Sequence, residues 1–280
     1  MACTSKAVLI TGCSTGIGRA TAERLAGGDW TVYATARRLE SIADLEQRGC
    51  RTLVLDVTDE DSMRAAVATV EQAEGSVGAL VNNAGYSQSG ALETVALDDV
   101  RAQFETNVFG LLRMCQLVLP GMRRAGEGRI LNISSMGGRL VFPGGGAYHA
   151  TKYAVEAMSE AMRFEVGGFG VDVVLIEPGL ITTNFAETAV GTTSVEEGPY
   201  ATFNTAVAAA TAGIYEGPMR HLGGGPDAVA RKIEKVLSRR RTRTRYTVTA
   251  SARLGLLQRK LTPDWAWDRI VGTTLPRPRA

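Results

Sequence analysis

Residues 7–18 read AVLITGCSTGIG, a β-forming run (AVLIT, 7–11) that passes straight into glycines at positions 12, 16 and 18. A short apolar run bounded by a turn predicts a buried strand, and a helix is expected to follow from about Ile17 to Ala26. Gly12 lets the chain turn sharply, while Gly16 and Gly18 let backbone approach a ligand and let helix pack on strand. The helix N-terminus there offers N–H groups and the positive end of a dipole, a seat for a pyrophosphate. A glycine turn alone is weak evidence, since many tight turns need glycine. Set between a first strand and a helix, it becomes a dinucleotide signal.

Outward from that turn, strands and helices alternate. TVYATA (31–36), TLVLDV (52–57), ALVNNAG (79–85), RILNISS (129–135) and VDVVLIEPG (171–179) read as strands. Helices are expected at 39–48, 59–74, about 98–119 and 147–166, the second opened by TDED and the third stopping before Pro120-Gly121. Strands built from Val, Leu and Ile and separated by helices predict an α/β, doubly wound parallel sheet covered on both faces. Residues 1–280 are read as a single dinucleotide-binding domain, with ligands at the C-terminal ends of the strands.

The bulk composition narrows the alternatives. A chain of 280 residues, 45% hydrophobic and 21% charged, suits a soluble globular protein with one large core. A formal net charge of +2 gives no reason to expect nucleic acid. Cys3, Cys13, Cys50 and Cys115 show no paired spacing, and His149 and His221 lie far apart. No metal site is expected, and reduced thiols fit a cytoplasmic setting. No apolar run reaches the length of a signal-peptide core or a membrane span.

The stretch GGGAYHATKYAVEAMSEAMRFE (144–165) sets Tyr148 and Lys152 four residues apart at the front of a helix. Residues i and i+4 share a helix face. A free tyrosine titrates near pH ~10, and a fixed ammonium nearby favours its phenolate, moving it toward useful acid–base chemistry. Taken alone, such a pair reads equally as a solvated surface pairing.

TGCSTGIG (11–18), NNAG (82–85), NISS (132–135), Tyr148-x-x-x-Lys152 and PG (178–179) together resemble, in order and spacing, the short-chain dehydrogenase/reductase family. The match covers about residues 5 to 185. TGCSTGIG, VYATAR and a long C-terminal tail look most like the hydroxysteroid and retinol dehydrogenase branch. The resemblance implies a Rossmann-like fold and a catalytic tetrad. Tyr148 would be the general acid in reduction and the base in oxidation. Lys152 would favour the phenolate and bind the nicotinamide ribose. Ser135, thirteen residues before Tyr148, would hydrogen-bond the substrate oxygen, with Ser134 as its rival. Asn107, in ETNVFG, would hold a water in the proton relay. Around the cofactor the resemblance implies Gly12, Ser14, Gly16, Ile17, Gly18, Asp56, Val57, Asn83, Ala84, Gly85, Pro178, Gly179 and Thr182, with Tyr148 and Lys152. Asn83 could instead serve only to stabilise the sheet.

Cofactor choice follows from the end of the second strand. NAD-preferring folds place a carboxylate there, about 20 residues past the glycine turn, to bind a ribose 2′-hydroxyl. Here Ala36 is followed by Arg37 and Arg38, groups suited to a 2′-phosphate. NADP(H) is expected, with Arg37 as the determinant and Ser14 as helper; NAD(H) is the alternative, with both arginines merely capping a strand end. Residues 180–225 are expected to form a helical substrate lid, and 226–280 a C-terminal extension. Tyr86, Met136, Phe142 and Phe185 would line an apolar pocket for a small lipophilic carbonyl or alcohol, unless these aromatics are simply core. The five arginines of SRRRTRTRYTVTA (238–250) are expected to cap the preceding helix and face solvent. Trp265 and Trp267 are expected to pack on the body or on a partner subunit, rather than on a membrane. A homodimer or homotetramer is expected. The function read from all this is an oxidoreductase acting on a ketone or secondary alcohol; the alternative is a dinucleotide-binding regulator without turnover.

Overall fold

The computed structural model describes residues 5–182, 191, 197–216 and 222–278. Seven parallel strands form one sheet: β1 (Ala7–Ile10), β2 (Thr31–Ala36), β3 (Arg51–Val54), β4 (Ala79–Asn82), β5 (Gly128–Ile133), β6 (Val171–Pro178) and β7 (Arg245–Val248). Their order across the sheet is β3-β2-β1-β4-β5-β6-β7, so the direction of winding reverses between β1 and β4. Side chains alternate between the faces of a strand, and both faces are covered. Val8 and Ile10 enter one core with α1 (Gly16–Ala26) and the helix Pro226–Leu237; Ala7 and Leu9 enter the other with α2 (Glu60–Glu74) and α4 (Leu111–Ala125). This is the doubly wound α/β sheet expected from the alternation.

Several elements depart from the sequence reading. Residues 39–48 form two 3-10 turns, Leu39–Ser41 and Ala43–Arg48, because this polar connection buries only Ile42 and Leu45. β3 ends at Val54; residues 55–57 leave the sheet and line the cleft described below. The long helix does not stop at Pro120. α3 (Leu97–Phe104) passes through a π turn, Glu105–Gly110, into α4, with Pro120 inside it. Pro120 is exposed, so the carbonyl it fails to bond can meet water, while Val118 and Met122 on either side are fully buried and hold the helix in place.

Arg239, Arg240, Arg241 and Arg243 do face solvent, but Arg245 pairs with three carboxylates. The cap of the preceding helix is Arg129 of β5, whose Nη1 donates to the carbonyls of Val236, Leu237 and Arg239 at 2.8–3.0 Å. Beyond β7, helices Ala250–Leu261 and Asp264–Val271 return over the body. There Trp267 packs on Phe142, ring centroids 5.6 Å apart, and its Nε1 donates to the Val141 carbonyl; Trp265 is exposed. Within residues 180–225, Ala201–Glu216 is helical and sets Phe203 and Val207 against Ala91. Phe185 lies outside the described residues. Among the described residues no helix is long and apolar enough to cross a membrane.

Candidate active site

The glycine turn is built for close approach. Gly12 and Gly16 have φ of 73° and 61°, a region that side chains avoid. Gly18 faces back onto the turn: a Cβ there would stand 2.3 Å from the Gly12 carbonyl oxygen and 2.5 Å from Asn83 Nδ2. Thr15 at the N-cap of α1 makes no side-chain cap, and the first turn carries no acidic residue. The helix end therefore offers N–H groups and a positive dipole to an anion. Asn83 Nδ2 donates to the carbonyls of Thr11 (2.9 Å) and Gly12 (3.0 Å), while Thr11 Oγ1 accepts from the N–H groups of Asn83 and Ala84. The Asn83 amide thus clamps the glycine turn. A pyrophosphate group fits this cradle.

Tyr148 and Lys152 stand in the first turns of α5 (Gly146–Gly167). Lys152 is buried; its Nζ donates to the Ile133 carbonyl at 2.8 Å, at the end of β5, and lies 5.8 Å from the centroid of the Tyr148 ring. Burial pulls Lys152 down to about 8, against the attraction of Glu156 one turn further on. Ser135 caps the 3-10 turn Met136–Gly138, its Oγ accepting from the Gly137 N–H at 3.0 Å, and lines the cleft half-exposed. Ser134 also borders the cleft but is 2% exposed, its Oγ without a partner among the described residues. Ser135 is the more accessible hydroxyl of the two.

Asn107 sits in the π turn, 1% exposed and behind the cleft wall. Its Oδ1 accepts from the Tyr86 N–H, and its Nδ2 donates to the Tyr86 carbonyl and to Thr151 Oγ1. The side chain given to a water by the resemblance here ties the loop after β4 to α5. Gly110 closes the same turn against Val57, whose carbonyl oxygen a Cβ would meet at 2.4 Å.

These parts open into one cleft of about 1070 Å³ along the C-terminal ends of the strands. It is lined by Gly12, Ser14, Gly16, Ile17, Arg37, Asp56, Val57, Asn83, Ala84, Gly85, Pro178 and Gly179, and also by Tyr86, Ser135, Met136, Phe142, Tyr148 and Lys152. Arg38 is not part of the lining, which separates it from Arg37. Asp56 faces the cleft with its Oδ1 already accepting from Thr58 N–H and Oγ1. Gly18, Asn107 and Thr182 do not line the cleft; Thr182 is exposed and its N–H donates to the Gly224 carbonyl.

The sequence reading missed His149. Its ring stands 5.8 Å from that of Tyr148; its Nδ1 bonds the Gly137 carbonyl at 2.9 Å and its Nε2 accepts from the Phe142 N–H at 3.2 Å. Both nitrogens are therefore committed to the wall of the cleft, and burial lowers the pKa of the ring. Its place beside Tyr148 was the only sequence signal.

Comparison with known proteins identifies the family and the fold. The short chain dehydrogenase family model matches residues 6–193. The chain is 33% identical over 267 residues to the uncharacterized oxidoreductase YbbO of Escherichia coli, covering 95% of this chain and 94% of that protein. It is 43% identical over 181 residues to a 3-ketodihydrosphingosine reductase of Bacteroides thetaiotaomicron, a match spanning 64% of this chain and 65% of the reductase. Among solved structures, the closed form of a serine dehydrogenase complexed with NADP+ superposes with a TM-score of 0.75 at 27% identity, over 86% of this chain and 93% of that one.

Proposed function

The chain belongs to the short-chain dehydrogenase family, and on that premise we propose that it is an NADP(H)-dependent oxidoreductase acting on a lipophilic ketone or secondary alcohol. The observation that carries this is the continuity of one cleft from the glycine turn and Arg37 to Ser135, Tyr148 and Lys152. A nicotinamide dinucleotide, when bound, supplies the hydride chemistry, so the side chains need no nucleophile. The turn at Gly12–Gly16 and the open end of α1 receive the pyrophosphate, and Arg37 receives a 2′-phosphate. In reduction, the Tyr148 phenol gives its proton to the substrate oxygen, and the Ser135 hydroxyl donates a hydrogen bond to that oxygen. The Lys152 ammonium stabilises the phenolate left behind and binds ribose hydroxyls. The Asn107 side chain keeps Tyr86 and α5 in register, its amide protons being given to the Tyr86 carbonyl and Thr151 Oγ1.

Tyr86, Met136 and Phe142 give the substrate end an apolar lining, which suits a lipophilic carbonyl. The ketone named for the 43% identical reductase is consistent with that choice. A dimer or tetramer working in the cytoplasm is part of the same proposal. The test is a panel of ketones, aldehydes and secondary alcohols with NADPH or NADP+, alongside direct cofactor titration. Turnover of apolar ketones supports the reading. Tight NADPH binding with no turnover anywhere on the panel would replace it with a dinucleotide-binding regulator.

A further inference from the structure

The helix Ala250–Leu261 packs on the body inside out. Its buried residues are the small Ser251 and Ala252, and Gly255 lies beside Leu140, whose side chain a Cβ there would meet at 3.5 Å. Ser251 Oγ accepts from the Leu180 N–H at 3.1 Å, and Leu140 and Leu180 both line the cleft. The outward face carries Leu254, Leu257 and Leu261, three and four residues apart on one stripe and each more than half exposed. A surface helix ordinarily turns its large apolar residues toward the core and its polar ones toward water. The sequence reading sets Trp265 against the body or a partner subunit; it stands 70% exposed just past the stripe.

Charge is as unevenly placed as these leucines. Residues 226–280 hold fourteen lysines and arginines against four acids, whereas residues 1–225 hold seventeen against twenty-five. Three of those four acids are already engaged: Asp227 and Glu234 pair with Arg24, Asp227 also with Arg231, and Asp264 with Arg259. Lys232, Lys235, Arg239, Arg243 and Arg253 are left without an ion pair among the described residues. They stand near enough together that, after burial, repulsion from Arg253, Lys235, Arg239 and Arg243 lowers the Lys232 pKa. Arg253 and Lys260, seven residues apart and both exposed, run along one side of the leucine stripe.

We propose that this face docks the protein on an anionic lipid bilayer, with Leu254, Leu257, Leu261 and Trp265 entering the headgroup region and the flanking cations holding the acidic headgroups. An apolar stripe beside a basic face is what an interfacial helix needs, lying in the plane of the membrane without crossing it. A nucleic acid would meet the cations but make no use of the leucines. A second copy would bring the same cations against these. Docking sets the wall of the cleft one helix away from the phase in which a lipophilic ketone dissolves. That link rests on the proposed activity; the docking itself does not, and it is measured without cofactor or substrate.

The experiment is cosedimentation of the full chain with vesicles of phosphatidylcholine and phosphatidylglycerol in equal parts, beside vesicles of phosphatidylcholine alone. The parent should pellet with the anionic vesicles at low salt, with a blue shift of its tryptophan fluorescence, and be released as salt rises. Arg253→Gln with Lys260→Gln should weaken binding about thirtyfold, since each cation near an acidic surface contributes about tenfold or slightly less. Leu257→Ser with Leu261→Ser should weaken it about tenfold or more. Both pairs are exposed, so melting temperature and turnover of water-soluble ketones should stay at parent values. A parent that ignores anionic vesicles at low salt overturns the proposal and leaves the catalytic reading standing. Leucine substitutions that spare vesicle binding but dissociate an oligomer in light scattering overturn it too, making the stripe an interface between copies. Binding of duplex DNA as tight as that of the vesicles, unmoved by the leucine substitutions, would assign the basic face to nucleic acid instead.

Discussion

At the level of single side chains, the proposed preference for NADP(H) rests on the end of β2. Ala36 closes the strand without a carboxylate and Arg37 lines the cleft, while Arg38 does not. Replacing Ala36 by Asp and Arg37 by Ser reverses both terms: the new carboxylate repels a 2′-phosphate and accepts from a free 2′-hydroxyl. A charge-assisted contact contributes roughly 1.5–3 kcal/mol, so NADPH binding should weaken about tenfold or more while NADH improves. Titration of both cofactors checks this; a parent that already prefers NADH would place the Arg37 guanidinium in solvent. Tyr148→Phe tests the proton donor at the same scale. It keeps the ring and loses the hydroxyl, so turnover should fall on the order of 10²-fold or more with NADPH affinity nearly unchanged. Near-parent turnover would remove Tyr148 from the mechanism.

Among the elements, α1 and α4 show opposite relations between residue and backbone. Gly18 is needed because α1 packs on its own preceding turn, with the Gly12 carbonyl and Asn83 Nδ2 where a side chain would stand. Gly18→Ala should therefore cost about 2–3 kcal/mol through overpacking and weaken NADPH binding by disturbing the turn. Thermal denaturation and cofactor titration of one sample read both effects, and an unchanged melting temperature would show that the turn yields freely. Pro120 is the converse case, a residue the fold tolerates. It lies inside α4 on the exposed side, where a helix loses a hydrogen bond and gains a ring clash. Pro120→Ala should stabilise the protein by about 1–2 kcal/mol, the interior-helix penalty less the entropy regained by the unfolded chain. A destabilised variant would mean that the proline is favoured by a local distortion of α4.

Over the whole molecule, the C-terminal extension packs on the wall of the cleft rather than standing apart as an appendage. Trp267, from the helix Asp264–Val271, packs at a tilt on Phe142, and its indole N–H donates to the Val141 carbonyl, while the Arg259 guanidinium lies 5.5 Å from its ring centroid. Phe142 in turn lines the cleft, and its N–H is held by His149 beside Tyr148. Trp267→Ala should cost about 3 kcal/mol of stability, as removal of a large buried side chain does. It should also raise KM for apolar ketones severalfold while leaving the NADPH dissociation constant unchanged, because only the substrate wall is loosened. A change in NADPH affinity as large as that in KM would show that the extension supports the fold as a whole.

The sequence by itself determined the parallel sheet, the glycine turn, the Tyr148–Lys152 pair and the arginine after β2. Each is a local signal: strand composition repeats along the chain, the turn needs glycine at fixed offsets, and four residues on a helix mean one face. It also placed Ser135, Tyr86, Met136 and Phe142 at a cleft that the fold then formed. It misplaced the stop at Pro120, because a proline signal is local while Val118 and Met122 are held by a distant core. Only the tertiary structure committed the Asn107 side chain to Tyr86 and Thr151, capped the helix Pro226–Leu237 with Arg129, and joined Glu156 to Arg245 across 89 residues. Such contacts depend on which strands lie side by side, and no periodicity or spacing within a short window records that order.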